Sequence, residues 1–328
     1  MKKSESKLVS VVIPVFNRDK LIKDCVNSAL NQTYPNVEII IYDNCSTDDT
    51  WTIVQQLATN CDKIRIFQQN ENVGPVRNWN SAISMAKGEL VKILFSDDLI
   101  YPTFLEQTVS KFTENIGFVM TSFDMGPSSI DAIISNDWPG VDGEISSANY
   151  IDNALSRFAF LVSPGAAIFR TSELIEVFEE EIPSPRLSNF KAHGAGPDLL
   201  IFLKIAVKYP LVYKCEQSLC LFRSHSDSQT KKMNQAKDGL IQSSYMQARV
   251  YFAKHYAKDF LEKTLGKAMF VELIQNRNRK AISLDWLVGA YLFDTGYSRL
   301  KIYLGFMIAV NNAFRVLLKR AIFRKEKI

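Results

Sequence analysis

Residues Leu90 to Pro102 read LVKILFSDDLIYP. A largely apolar run, Leu90 to Phe95, stops at Ser96-Asp97-Asp98, and a second apolar segment with an aromatic and a proline follows. Such a run ending in a polar turn predicts a buried strand that delivers its last residues to a surface. Two adjacent carboxylates there repel each other unless a cation or hydrogen-bond donors offset the charge. A helix N-cap before Pro102 is the plainer account of the dipeptide. The alternative is a ligand crevice, since α/β sheets bind ligands beyond the carboxyl ends of their parallel strands.

Outward from this stretch, apolar runs begin near Leu8, Val37, Lys63, Glu89 and Ile116, at spacings of 29, 26, 26 and 27 residues. That is the length of a strand-helix unit. Asp19 is placed to cap the first helix, and Pro75 to open the third at its first turn. Strands alternating with single helices require crossovers, hence a mostly parallel sheet covered on both faces. Residues 1–120 therefore predict a Rossmann-like nucleotide-binding half, 121–235 the second half of the same domain, and 236–328 a helical extension.

This half has no G-x-x-x-x-G-K-[ST], and its first turn, Val15-Phe16-Asn17-Arg18, has no G-x-G-x-x-G. A bound diphosphate must be neutralised in another way, and a divalent ion at Asp97 is the available means. The other strand ends are polar too. Asp43 opens DNCSTDD, and Asn72, Gly74 and Arg77 lie in ENVGPVRN. Taken singly, each fits a helix cap or a solvated face; together they converge on one crevice.

The composition is that of a protein with a real core: of 328 residues, 47% are hydrophobic and 23% charged. A net charge of +4 argues against general nucleic-acid binding. From Arg299 to Ile328, however, eight Lys and Arg stand against Glu326, which leaves the preceding residues at about −3. The five cysteines form no C-x-x-C pair, which fits a reducing compartment with neither zinc nor a disulfide framework. The opening MKKSESK-LVSVVIPVF has the outline of a secretory leader, but Pro14 and Asn17-Arg18-Asp19 break it, so Leu8–Phe16 is expected to be the first strand. No apolar segment reaches the length of a membrane span. Between Ile302 and Phe323, Asn311, Asn312, Arg315 and Lys319 share one helical face, and Val310, Phe314, Leu317 and Ala321 another. Such a basic amphipathic helix suits an anionic membrane surface, or packing on the core or a partner subunit.

Six segments, SVVIPVFNR, YDNCSTDDT, ENVGPVRNWNSAI, KGELVKILFSDD, GPDLLIFLKIA and LFRSHSDSQT, run in this order over residues 8 to 230. In them the chain resembles the family 2 glycosyltransferases of GT-A fold, especially bacterial enzymes of surface-polysaccharide synthesis. The resemblance implies an α/β, Rossmann-like GT-A fold with a mixed, mostly parallel sheet. It implies an inverting, metal-dependent transfer of a sugar from a nucleotide diphosphate, UDP-linked by expectation, to a saccharide or lipid-linked acceptor. The donor pocket would be lined by Pro14, Phe16, Asn17, Arg18, Asp43, Asn72, Gly74, Arg77, Ser96, Asp97, Asp98 and Arg223. Asp97 and His225 would hold Mn2+ or Mg2+, and Asp198 would be the catalytic base. Phe95 stands where the family's D-x-D signature begins with Asp, so Asp98 is expected to share the load. Trp138, Gly165 and Ala166 are the expected acceptor contacts. The expected location is cytoplasmic, peripheral on the inner face of the membrane, with a homo-oligomer allowed. Two alternatives remain at this point: a catalytically inactive nucleotide-sugar scaffold, kept alive by Phe95, and a sugar-nucleotide pyrophosphorylase, disfavoured because Pro14 to Lys20 lacks glycine.

Overall fold

A computed structural model describes residues 6–128, 133–135, 142–156, 163–184, 190–225, 240–275, 298 and 300–311. Its first half alternates β1 (Val9–Val15), α1 (Ile22–Leu30), β2 (Val37–Asp43), α2 (Thr50–Thr59), β3 (Ile64–Gln68), α3 (Pro75–Ser84) and β4 (Leu90–Ile93). The short β5 (Leu99–Ile100), α4 (Phe104–Val109) and the long β6 (Ile116–Gly126) follow. Each predicted strand start falls within a residue of the observed one. Pro75 sits in the first turn of α3. Asp19 does not cap α1: that helix starts at Ile22 without a side-chain cap, and the Asp19 carboxylate accepts the Lys20 N–H instead.

The second half contributes β7 (Ile133–Ser135), β8 (Gly143–Ser146), α5 (Ser147–Ser156), β9 (Ala167–Arg170), α6 (Thr171–Val177), α7 (Pro197–Lys208) and β10 (Leu211–Arg223). Among the described residues the strands form one sheet in the order β3-β2-β1-β4-β9-β6-β10-β5, with β7 on β6 and β8 on β10. β1 pairs in parallel with β2 and β4, as do β2 with β3 and β6 with β10, whereas β9 runs antiparallel to both β4 and β6. This is the mixed, mostly parallel sheet that the segment spacing predicts.

Period-two alternation divides the core between the two faces of the sheet. Val12 and Ile40 point into a cluster with Phe118, Phe169 and Phe202, while Val11, Ile13, Ile39 and Ile41 point into another with Ile22, Val26 and Phe104. Both faces are therefore largely apolar, with a few buried polar side chains such as Ser10 and Lys92 within the strands.

Beyond β10, the described residues are helical: α8 (Leu240–Tyr256), α9 (Leu261–Gln275) and α10 (300–311). α8 buries Ala248 and Phe252 against the core shared with α7, and Met246, Val250 and Ala253 against α9. α10 crosses α9 closely at Gly266, where an added Cβ would meet the backbone of Ile302, Gly305 and Phe306 within 2.5 Å. Only glycine permits that approach.

Candidate active site

β4 ends beneath a tight turn in which the Asp98 N–H donates to the Phe95 carbonyl at 2.9 Å. The turn leaves Asp97 facing the crevice, where Oδ2 lies 3.0 Å from His225 Nε2 and 3.8 Å from the Arg18 guanidinium. These groups come from the ends of β4, β10 and β1, so sheet order brings together residues far apart in the chain. Arg223 braces the turn from below. Its N–H donates to Asp98 Oδ1 at 3.0 Å, its Nε to the Asp97 carbonyl, and its terminal nitrogens to Asp24 and the Leu21 carbonyl.

Asp98 turns inward, half-buried. Burial first, and then the Asp97 charge, push its carboxyl well above the usual range, against the Arg223 N–H and the charges of Lys92 and Arg223. Ser96 is buried. Phe95, in the position expected of an acid, packs on Trp79 with ring centroids 5.1 Å apart.

A divalent cation fits the Asp97–His225 pair. The Asp97 carboxylate supplies the oxygen donor that Mn2+ and Mg2+ prefer, and the His225 imidazole, 3.0 Å away, would serve as a second ligand. Among the described residues no group of three His, Cys, Asp or Glu gathers at one point. The remaining ligands would thus be phosphate oxygens or water, the usual habit of such ions at nucleotide sites.

The first strand-helix turn is stitched to the second. Asn17 takes a positive φ of 49°, its N–H donates to Ser46 Oγ, and its Oδ1 accepts the Thr47 N–H. Arg18 is anchored through its N–H to Thr50 Oγ1, while its buried Nε has no hydrogen-bond partner among the described residues. Pro14 is buried and Phe16 half-buried. Asp43 is fully buried and accepts from the Ser46 N–H and from Gln68 Nε2, each at 2.9 Å. Asn72 Oδ1 accepts from Asn44 and from the Gly74 N–H, and Gly74, at φ 86°, leads into α3. Arg77 is paired with Glu180 at 3.0 Å, its side chain half exposed.

Asp198 lies in the first turn of α7, behind Gly194 and Gly196, both at positive φ. Its Oδ1 accepts the N–H groups of Gly196 at 2.8 Å and Leu199 at 2.7 Å, and its Oδ2 the Tyr245 hydroxyl at 2.6 Å. Burial pushes the carboxyl up to about 6, against those donors and the Arg249 charge. A carboxylate so poised is a stronger base than one in water, yet still ionised at neutral pH.

The two acids are joined through packed side chains. A Cβ at Gly194 would lie 2.1 Å from the Trp79 ring, and Trp79 packs on Phe95, two residues before Asp97. Gly165 and Ala166 are buried in the 3-10 turn Pro164–Ala166, and a Cβ at Gly165 would meet Phe222 and Phe95 at 3.1 and 3.2 Å. Trp138 lies outside the described residues.

Three buried groups here escaped the sequence reading. Lys92, within an apolar run, is fully buried, donates to the Gly165 carbonyl and sits 4.4 Å from the Phe104 ring; burial draws it down to about 8. A lysine interrupting a strand of this kind was the available signal. Tyr245 and Arg249 lie in a helix separated from Asp198 by a whole strand, and no local pattern marks them.

The family model described as Glycosyl transferase family 2 matches residues 10–178. Over 109 residues the chain is 36% identical to the glycosyltransferase GlyG of Streptococcus pneumoniae, covering 33% of this chain and 36% of that protein. Over 112 residues it is 37% identical to a Campylobacter jejuni GalNAc(5)-diNAcBac-PP-undecaprenol beta-1,3-glucosyltransferase, covering 34% and 36%. The chain thus spans little more than a third of the length of these relatives. In fold it is similar to Staphylococcus aureus TarS 1-349 in complex with UDP-GlcNAc, with TM-score 0.65, 16% identity, and 93% and 89% of the two chains covered. It is also similar to a Pyrobaculum calidifontis mannosyltransferase in complex with GDP-Man and Mn2+, with TM-score 0.52, 17% identity, and 95% and 88% covered.

Proposed function

Since the chain belongs to glycosyl transferase family 2, we propose that it moves a sugar from a UDP-linked donor to a hydroxyl of a saccharide or lipid-linked acceptor in bacterial surface-polysaccharide synthesis. Membership of that family removes the ground for the pyrophosphorylase alternative. The observation that carries the proposal is the meeting of Asp97 and His225 at the mouth of β4, linked by the packing of Phe95, Trp79 and Gly194 to the turn that leads to a second, buried acid at Asp198. The relatives support the substrate classes: one is named for an undecaprenol-linked acceptor, and a fold neighbour was crystallised with UDP-GlcNAc.

Asp97 and His225 would hold Mn2+ or Mg2+, and such an ion, when bound, neutralises charge on the diphosphate. Arg18, whose guanidinium lies 3.8 Å from Asp97 Oδ2, would meet the leaving diphosphate, while Arg223 keeps Asp97 in place. Asp43, Asn17, Asn72 and Gly74 shape the loops on which base and ribose would rest. Asp198 would take the proton from the acceptor hydroxyl as the new bond forms. With Asp198 as the one base, the transfer would be a single displacement with inversion. Trp138, Gly165 and Ala166 remain the proposed acceptor side.

Membrane contact is proposed through α10. Leu300, Tyr303, Leu304, Met307 and Ile308 form an exposed apolar face, opposite Ile302 and Ala309, which pack inward. The Arg- and Lys-rich sequence that follows would meet anionic headgroups. No helix among the described residues is long and apolar enough to cross a membrane.

The test is release of UDP from UDP-GlcNAc, UDP-glucose and UDP-galactose with MnCl2, with MgCl2 or with EDTA. Ion-dependent release from at least one donor is expected; a folded protein that binds and cleaves none of them would favour the inactive scaffold.

A further inference from the structure

α8 lies outside the sheet, yet two of its side chains reach the N-terminus of α7. Tyr245 and Arg249 are four residues apart and so share one helical face. The Tyr245 hydroxyl donates to Asp198 Oδ2 at 2.6 Å, the oxygen that the Gly196 and Leu199 N–H groups leave free. Arg249 is buried, its guanidinium lies 6.0 Å from the Tyr245 ring centroid, and its Nε donates to the Ala154 carbonyl at 2.8 Å. That carbonyl belongs to the last turn of α5, where helix carbonyls lack intrahelical partners. Lys267 of α9 donates to the next one, Leu155, at 3.0 Å.

Burying a guanidinium is costly unless an opposite charge answers it. The hydrogen bond to Ala154 supplies no charge, and the carboxylate whose field reaches Arg249 is Asp198. An anionic Asp198 is therefore the state in which this cluster is electrically satisfied. We infer that Tyr245 and Arg249 are positioning residues for Asp198, the tyrosine holding the carboxylate oxygen that the two N–H groups leave and the arginine, braced on Ala154 beside the tyrosine ring, backing that contact with a positive charge.

This deepens the proposed function and rests on Asp198 being its base. It makes the helical extension part of the reaction centre. The groups around Asp198 are few: Tyr245 and Arg249 from α8, and the preceding loop, where His193 Nδ1 accepts the Ala195 N–H and burial holds the imidazole below its ordinary value. Of these, Tyr245 and Arg249 act on Asp198 in the direction that favours its anion.

The experiment is a carboxyl NMR titration of the full chain labelled with 13C-aspartate, the Asp198 resonance being assigned by its loss in Asp198→Asn. The wild-type midpoint is expected at about 6. Tyr245→Phe and Arg249→Met should each raise it by about one unit or more, and Arg249→Lys should bring it back towards wild type. Circular dichroism and thermal melts identify the variants that remain folded, and Tyr245→Phe is the conservative one. A midpoint unmoved in folded Tyr245→Phe and Arg249→Met overturns the inference. Turnover of the UDP-sugars separates this from the base assignment. If Asp198→Asn loses turnover while the titration stays fixed in the other variants, the inference alone fails; if Asp198→Asn keeps turnover, both fail.

Discussion

Asp97 and Asp198 each sit at the end of an apolar element, beyond β4 and in the first turn of α7, yet their surroundings differ. Asp97 is partly open, faces an imidazole and a guanidinium, and has its backbone carbonyl pinned by a third basic side chain. Asp198 is buried, surrounded by neutral hydrogen-bond donors, with a cation behind them. A buried acid that burial pushes up but donors hold down can take and return a proton. The lesson is that burial and partners, not residue type, give two aspartates different chemical surroundings.

The sharpest way to break this contrast is Asp198→Asn. It should lower turnover by about 10²- to 10⁴-fold while UDP binding in manganese, measured by calorimetry, stays near wild type. Asp97→Asn should do the converse, weakening manganese-dependent UDP binding by about ten- to a hundredfold, and equal loss of binding in both variants would erase the distinction. Turnover should next fall by about tenfold per pH unit below about 6, as Asp198 gains its proton. The same shift has a stability counterpart. A carboxyl raised from 3.8 to about 6 on folding stabilises the protein while protonated, so that contribution is present at pH 4 and lost as pH rises through 6. It amounts to about 2–3 kcal/mol, readable as the difference in urea unfolding between wild type and Asp198→Asn at pH 4 and pH 7. Smallest, Gly194→Ala places a methyl against the Trp79 ring at φ +73° and should cost about 1–3 kcal/mol. Because it disturbs the packing between the two acids, its effect on turnover should exceed its effect on UDP binding.

Much of the nucleotide half was legible because strand spacing and polar strand ends are local signals. Leu8, Val37, Lys63, Glu89 and Ile116 mark strands that need nothing distant to be recognised. What a residue does with its donors is not local. Arg223 could be read as a cation near the diphosphate, but its guanidinium is committed to Asp97, Asp24 and Leu21 by the way β10 lies against α1. Asp98 looked equivalent to Asp97 until the turn sent the two in opposite directions. Tyr245 and Arg249 needed the docking of α8 on α7 to acquire meaning.

The parallel pairing of β6 with β10 joins strands whose registered partners, such as Leu211 and Ile116, are far apart in sequence. Closing such a loop costs chain entropy before any contact repays it, so β10 is expected to dock late. His225 follows directly on β10, and Asp97 waits at the other side of the gap. A chain that has folded its first half alone therefore has Asp97 without its partner His225. On the proposed assignment, donor binding would begin only once β10 has docked, so nucleotide affinity would report on completed folding.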